Sequence, residues 1–250
     1  MAHMKNLREL KFSRSIVKKG HWDAVATLES LEILDFSVCT FVDGPADVDP
    51  DKRLTVKVPC LSVHGCNGYP QLLAAIDTRH LRTLTMDLEF ADHVDWLSET
   101  ALIELRVYDY DIKRLTMASP TRVKRLLCQM PQSIQVLRLP FRTFSEIDES
   151  LFVDPAWKTM PLLRSLTLEV GRGPDIAPMT VARLVCDGIR VLRGLRSLTL
   201  NAWGPHLDVE VSLVDVRDTI QEQLIDIPGL NFVQIHGTAV RLVYGEWMDI

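Results

Sequence analysis

A six-residue pattern, LxxLxL with apolar anchors at its first, fourth and sixth places, recurs along this chain. It reads LRELKF at Leu7 to Phe12, LEILDF at Leu31 to Phe36, LRTLTM at Leu81 to Met86 and LIELRV at Leu102 to Val107. It continues as IQVLRL at Ile134 to Leu139, as LRSLTL at both Leu163 to Leu168 and Leu195 to Leu200, and as LNFVQI at Leu230 to Ile235. A weaker copy, VPCLSV, covers Val58 to Val63. One such unit is too short to bury its own apolar side, so the recurrence predicts units stacked on like units.

The fourth-place anchors are Leu10, Leu34, Leu61, Leu84, Leu105, Leu137, Leu166, Leu198 and Val233, separated by 24, 27, 23, 21, 32, 29, 32 and 35 residues. Within each copy the last two anchors flank one outward residue, the period-two signature of a half-buried strand. Between copies the period turns helical. Pro120 to Met130 opens on a proline suited to a first turn and stops before Pro131. Thr180 to Leu192 lines up Val181, Leu184, Val185, Ile189 and Leu192, and Asp215 to Ile225 lines up Val216, Ile220, Leu224 and Ile225. Trp22 to Leu28 and Pro70 to Ile76 read as shorter helices. Strand, helix, strand in regular succession implies parallel strands joined by right-handed crossovers. The expected fold is α/β: a solenoid with nine strands in one parallel sheet on a concave face, and helices and loops on the convex face.

Two segments interrupt the pattern. Phe41 to Lys57 is acidic and rich in turn residues, and predicts an exposed loop with an extra strand at Leu54 to Val58; Ser145 to Met160 is irregular. Val240 to Tyr244 reads as a further strand, with Trp247 covering the apolar edge of the last unit. Met1 to Met4 resembles vector-derived sequence, and the pattern begins at Leu7 without the polar cap a solenoid needs. The expectation is one repeat domain over residues 5–250 whose natural N-terminal part is missing.

A net charge of -5 lacks the basic excess typical of nucleic-acid binders. No run reaches the roughly 18 apolar residues of a membrane span. The partner expectation is therefore neither nucleic acid nor membrane. Five cysteines, an odd number, with no secretory signal and no N-x-Ser/Thr sequon, favour a reducing compartment, cytoplasmic or nuclear.

Past the strand, Leu34 to Cys39 and Leu61 to Cys66 both read LxLxxC, whereas other copies carry Ser15, Glu89, Tyr110, Arg142, Gly171, Trp203 and Thr238 at the cysteine place. These residues resemble cysteine-type leucine-rich repeats, and their irregularity resembles that of F-box leucine-rich proteins of the divergent fungal sort. The resemblance implies that the cysteine turns inward beside the backbone leaving the strand. It also implies a substrate-recognition role in a cullin-type ubiquitin ligase, with the ligase adaptor bound through an F-box absent from this chain.

Cys60, His64 and Cys66 form C-x3-H-x-C, but a closed zinc site needs four ligands and none completes the set nearby. Asp43, Asp47, Asp49 and Asp51 lack the spacing of a calcium loop. Asp92-His93-Val94-Asp95 reads as a polar turn, and Gly171-Arg172-Gly173 lacks the third glycine of a dinucleotide loop. No nucleophile elbow, phosphate loop or H-E-x-x-H is present. The reading is non-catalytic, without metal or cofactor.

Outward positions on the strands are Lys11, Asp35, Ser62, Thr85, Arg106, Arg138, Thr167, Thr199 and Gln234, followed by Ser13, Ser37, His64, Asp87, Tyr108, Pro140, Glu169, Asn201 and His236. Arg106, Tyr108 and Arg138, flanked by Asp87 and Glu169, form the most distinctive group, and arginine and aromatic residues are enriched at binding hot spots. The expected function is protein interaction through the concave face. The alternative is a small-ligand receptor or enzyme with a pocket between the long inserts and that face.

Overall fold

The structure, a computed structural model, describes residues 4, 6–42, 55–108, 120–141, 155–170, 178–202, 212–224, 227–235, 238–243 and 246–249. The chain divides into two compact units, Met1–Ile112 and Lys113–Ile250. Most of the acidic loop, Tyr110, Arg142, Gly171 to Gly173, Trp203 and His236 lie outside the described residues, as do the long inserts of the second unit.

The first unit runs β1 (Glu9–Ser13), β2 (Ile16–Val17), α1 (Lys19–Val25), β3 (Ile33–Ser37), β4 (Thr40–Phe41), β5 (Cys60–His64), α2 (Tyr69–Ala75), β6 (Thr83–Asp87) and β7 (Glu104–Tyr108). β1, β3, β5, β6 and β7 pair in that order, all parallel. The fourth-place anchors Leu10, Leu34, Leu61, Leu84 and Leu105 are direct register partners. Leu34, Leu61, Leu84 and Leu105 are buried together with Phe36, Val63, Met86 and Val107. Each such side chain stabilises the unit by about 2 kcal/mol as an upper estimate. The first copy is less covered: Leu7, Leu10 and Phe12 keep partial exposure. Short 3-10 helices, Thr78–His80, Leu88–His93 and Leu97–Glu99, stand where longer crossover helices would be.

Two backbone ladders hold the register. At strand entry the carbonyl of the second motif residue accepts both the second and third N–H of the next copy: Arg8 from Glu32 and Ile33, Pro59 from Arg82 and Thr83, Arg82 from Ile103 and Glu104. VPCLSV makes only half of this pair, because Pro59 has no N–H and Cys60 alone donates to Glu32. At strand exit Arg14 and Val38 occupy left-handed backbone at φ 49° and 57°, with Gly65 equivalent at φ 60°. Arg14 N–H donates to Ser37 O and Val38 N–H to His64 O.

The cysteines turn inward as the resemblance implies. The Cys39 thiol donates to Phe12 O and Ser37 O, the Cys66 thiol to Phe36 O and His64 O, and Cys39 N–H donates to Cys66 Sγ at 3.3 Å. A small parallel pair, β2 with β4, follows each turn and was not anticipated; the expected strand at Leu54 to Val58 is reduced to a single bridge from Val56 to Ile76. Phe12, Trp22, Phe36 and Phe41 pack as an aromatic cluster, with Phe12 stacked on Phe36 at 5.2 Å and Phe36 edge-on to Phe41 at 5.0 Å.

The second unit runs α3 (Pro120–Cys128), β8 (Val136–Phe141), β9 (Ser165–Val170), α4 (Pro178–Ile189), β10 (Ser197–Ala202), α5 (Leu213–Thr219), β11 (Phe232–Ile235), β12 (Thr238–Val243) and β13 (Glu246–Asp249). β8, β9, β10 and β11 pair parallel, with Leu137, Leu166, Leu198 and Val233 in register. The entry ladder recurs: Gln135 O accepts from Arg164 and Ser165, Arg164 O from Arg196 and Ser197, and Arg196 O from Asn231 and Phe232. Val123, Leu126 and Leu127 of α3, and Ala182, Val185, Cys186 and Ile189 of α4, are buried. α5 begins at Ser212, whose hydroxyl accepts from Asp215 N–H at 3.1 Å, and passes into a π-turn at Ile220–Leu224. Arg190 donates to the Gln223 and Glu222 carbonyls of that turn.

Uniformly parallel pairing fails at the last two strands. β12 pairs antiparallel with β11, and β13 antiparallel with β12. The strand read at Val240 to Tyr244 starts two residues earlier, and the sequence reading missed β13. Trp247 lies on β13 and is only half-buried, whereas Val240 on β12 is fully buried.

Candidate interaction surface

The strand faces opposite the anchors carry the side chains from which recognition could be built. In the first unit, register places Lys11 opposite Asp35, Asp35 opposite Ser62, Ser62 opposite Thr85 and Thr85 opposite Arg106. Lys11 Nζ lies 2.7 Å from Asp35 Oδ2, and the hydrogen bond to Asp35 pushes the ammonium pKa up.

Arg106 and Tyr108 face outward on β7. Arg106 turns back along its own strand, Nε at 2.7 Å from Glu104 Oε1, and that hydrogen bond pushes the guanidinium pKa up. Asp87 is buried, at 5% exposure. It accepts the N–H of Gly65, and its other oxygen lies 3.8 Å from His64 Nδ1. The His64 ring meets Tyr108 edge-on at 5.6 Å, which joins β5, β6 and β7 through side chains as well as backbone.

In the second unit Arg138 of β8 pairs with Glu169 of β9, diagonal neighbours because Arg138 is registered with Thr167 and Pro140 with Glu169. Glu169 is nearly buried. Arg106 and Tyr108 thus belong to one unit and Arg138 and Glu169 to the other, and both arginines are neutralised by a carboxylate of their own unit. Thr167 stands opposite Thr199, and Thr199 opposite Gln234.

Sequence reasoning missed Glu104 because it counted outward positions from the fourth anchor onward. The strands begin one residue earlier, so period two already marked Glu9, Ile33, Cys60, Thr83, Glu104, Val136, Ser165, Ser197 and Phe232 as outward. It also missed a hollow of about 570 Å³ lined by Ser197, Asn231, Phe232, Arg241 and Leu242, since four of these come from the pairing of β10, β11 and β12.

Cys60 and His64 share the outward side of β5, whereas the Cys66 thiol is bonded into the turn and buried, so C-x3-H-x-C does not converge. Burial pushes the Cys66 thiol up to about 12. Among the described residues no group of three His, Cys, Asp or Glu could hold a metal ion, and no helix is long and apolar enough to cross a membrane.

By its topology the chain is an α/β repeat protein, with parallel strands alternating with helices. No family model and no curated protein matches the sequence. Among solved structures it is similar to the leucine-rich repeat-containing protein LegL7 from Legionella pneumophila, with 16% identity and a TM-score of 0.45 over 91% of this chain. The match spans 64% of that protein's length.

Proposed function

We propose that this chain is a non-catalytic protein-interaction module that recognises its partner on the outward strand faces. The carrying observation is register. With no slip between parallel strands, outward residues form continuous rows, Asp35, Ser62, Thr85 and Arg106 in one unit and Arg138, Thr167, Thr199 and Gln234 in the other. Rows of short polar side chains on a rigid sheet leave a broad surface that a protein can cover with little side-chain ordering cost.

The test is quantitative capture of partners from lysate with strand-face variants Ser62→Arg and Thr167→Arg, against the helix variant Arg183→Glu. Partners lost with the first two and kept with the third support the reading. An identical captured set with all three variants, or none, overturns it.

The finer proposal is that the module selects substrates for an F-box-type ubiquitin ligase, with Arg106, Tyr108, Arg138, Asp87 and Glu169 in the recognition surface. Its support is the inward-cysteine repeat style at Cys39 and Cys66. The natural full-length protein is then expected to co-purify with ligase subunits. Their absence would end the ubiquitin reading and leave the interaction module standing.

A further inference from the structure

We propose that the hollow bounded by Ser197, Asn231, Phe232, Arg241 and Leu242 docks an extended peptide presenting a carboxylate beside an apolar side chain. This rests on the interaction reading above and names the chemistry of the partner at one place on the second unit.

Charge distinguishes this hollow from the rest of the strand surface. Arg106 is bound to Glu104 and Arg138 to Glu169, so neither guanidinium has its full charge to offer. Arg241 differs. Its Cζ lies 5.9 Å from the centroid of Phe232, its register partner across β11 and β12. Among the described residues no carboxylate pairs with it, Glu246 of the adjoining strand included. A cation–π contact of this kind engages the positive charge without using the N–H donors, which remain for a planar carboxylate.

The surroundings supply the remaining complementarity. Ser197 brings a hydroxyl and Asn231 a side-chain amide, neither of them hydrogen-bonded among the described residues. The backbone there is already used: Asn231 N–H donates to Arg196 O, and Asn231 O accepts from Leu242 N–H. Recognition must therefore come from side chains. Leu242 and Met248 are exposed at 37% and 49%, and Met248 is the register partner of Arg241 on β13. An anion alone would leave this apolar border wet, and an apolar group alone would leave the guanidinium without a counter-charge. The hollow opens to solvent, whereas small-molecule sites enclose most of their ligand. It suits a segment that contributes one or two side chains while its remainder passes along the face.

The experiment is selection of a displayed random peptide library on the whole chain, followed by synthesis of the enriched sequences and measurement of Kd. Aspartate or glutamate next to leucine, isoleucine or phenylalanine is expected to dominate. The selected peptides should lose affinity roughly tenfold or more on Arg241→Gln. Phe232→Leu should weaken them too, since it keeps an apolar side chain but removes the ring, and Arg241→Lys should be intermediate. Affinity should fall with added salt. Arg183→Gln, on α4, should leave Kd unchanged, and circular dichroism checks that each variant is folded. Enriched peptides without a carboxylate, or acidic ones indifferent to Arg241→Gln, overturn the proposal. Peptides sensitive to Arg106→Gln or Arg138→Gln but not to Arg241→Gln overturn it while sustaining the interaction module. Enrichment of nothing counts against both.

Discussion

The backbone N–H of Gly65 donates to the carboxylate of Asp87, 22 residues away. In the two preceding copies the equivalent donors, Arg14 and Val38, reach the main-chain carbonyls of Ser37 and His64. Asp87 therefore continues with a side chain a ladder that began with backbone. It sits in the surface proposed for recognition, yet it already has a structural task.

Asp87→Ala should cost about 2 kcal/mol, the loss of a charge-assisted, part-buried hydrogen bond from Gly65 N–H. Asp87→Asn, whose amide oxygen still accepts, should recover most of it. Urea titration of the three proteins decides this. Equal stability of the alanine and asparagine variants would contradict the assignment.

Val38 is a β-branched residue at φ 57° and is largely exposed. Val38→Gly should stabilise the protein by about 1 kcal/mol, because relief of left-handed strain exceeds the small burial lost. Gly68 is the opposite case, at φ 83° with Phe41 O only 2.2 Å from the position a Cβ would take. Gly68→Ala should cost more than about 2 kcal/mol, read as a lower Tm.

Cys128 is exposed, while Cys39, Cys66 and Cys186 are buried. Burial pushes the Cys186 thiol, like that of Cys66, up to about 12. Thiolate is the reactive form, so alkylation of the folded protein at neutral pH should mark Cys128 first and spare Cys39, Cys66 and Cys186 until denaturant is added. Peptide mapping by mass spectrometry reads the order.

Asp77 caps the helix at Thr78–His80 and is buried against Arg79 and His80. The hydrogen bond from Arg79 holds its carboxyl below the usual carboxylate range. A carboxyl whose folded pKa is depressed binds its proton more weakly folded than unfolded. Its contribution is whole above the unfolded pKa of about 4 and disappears as pH falls through the folded value. Asp77→Asn should be less stable than the parent at pH 7, and the gap should narrow on acidification below about 4. A gap independent of pH would show that charge is not the cause.

The anchors were legible in the sequence because burial on a strand is a period-two property: Leu34, Leu61, Leu84, Leu105, Leu137, Leu166, Leu198 and Val233 are all buried and registered. The helix at Pro120 was legible from its start signal, and the one read at Asp215 from its apolar stripe, although it begins two residues earlier, at Leu213. Strand polarity at Thr238–Val243 was not, since alternation looks the same read in either direction. Pairing among outward charges was only partly legible. Arg138 with Glu169 depends on a diagonal across two strands, and Arg106 with Glu104 on where its strand begins. The hollow beside Arg241 required the antiparallel hairpin, which nothing in the local pattern announced.

Adjacent copies differ in spacing by as much as fourteen residues, from 21 to 35, yet the anchors meet their counterparts without a single slip within either unit. Lengthening a connection costs little, because closure entropy rises only with the logarithm of its length, whereas one extra residue inside a strand would turn its leucines toward water. Novelty in such a molecule is therefore cheap to acquire between the strands and nearly forbidden within them.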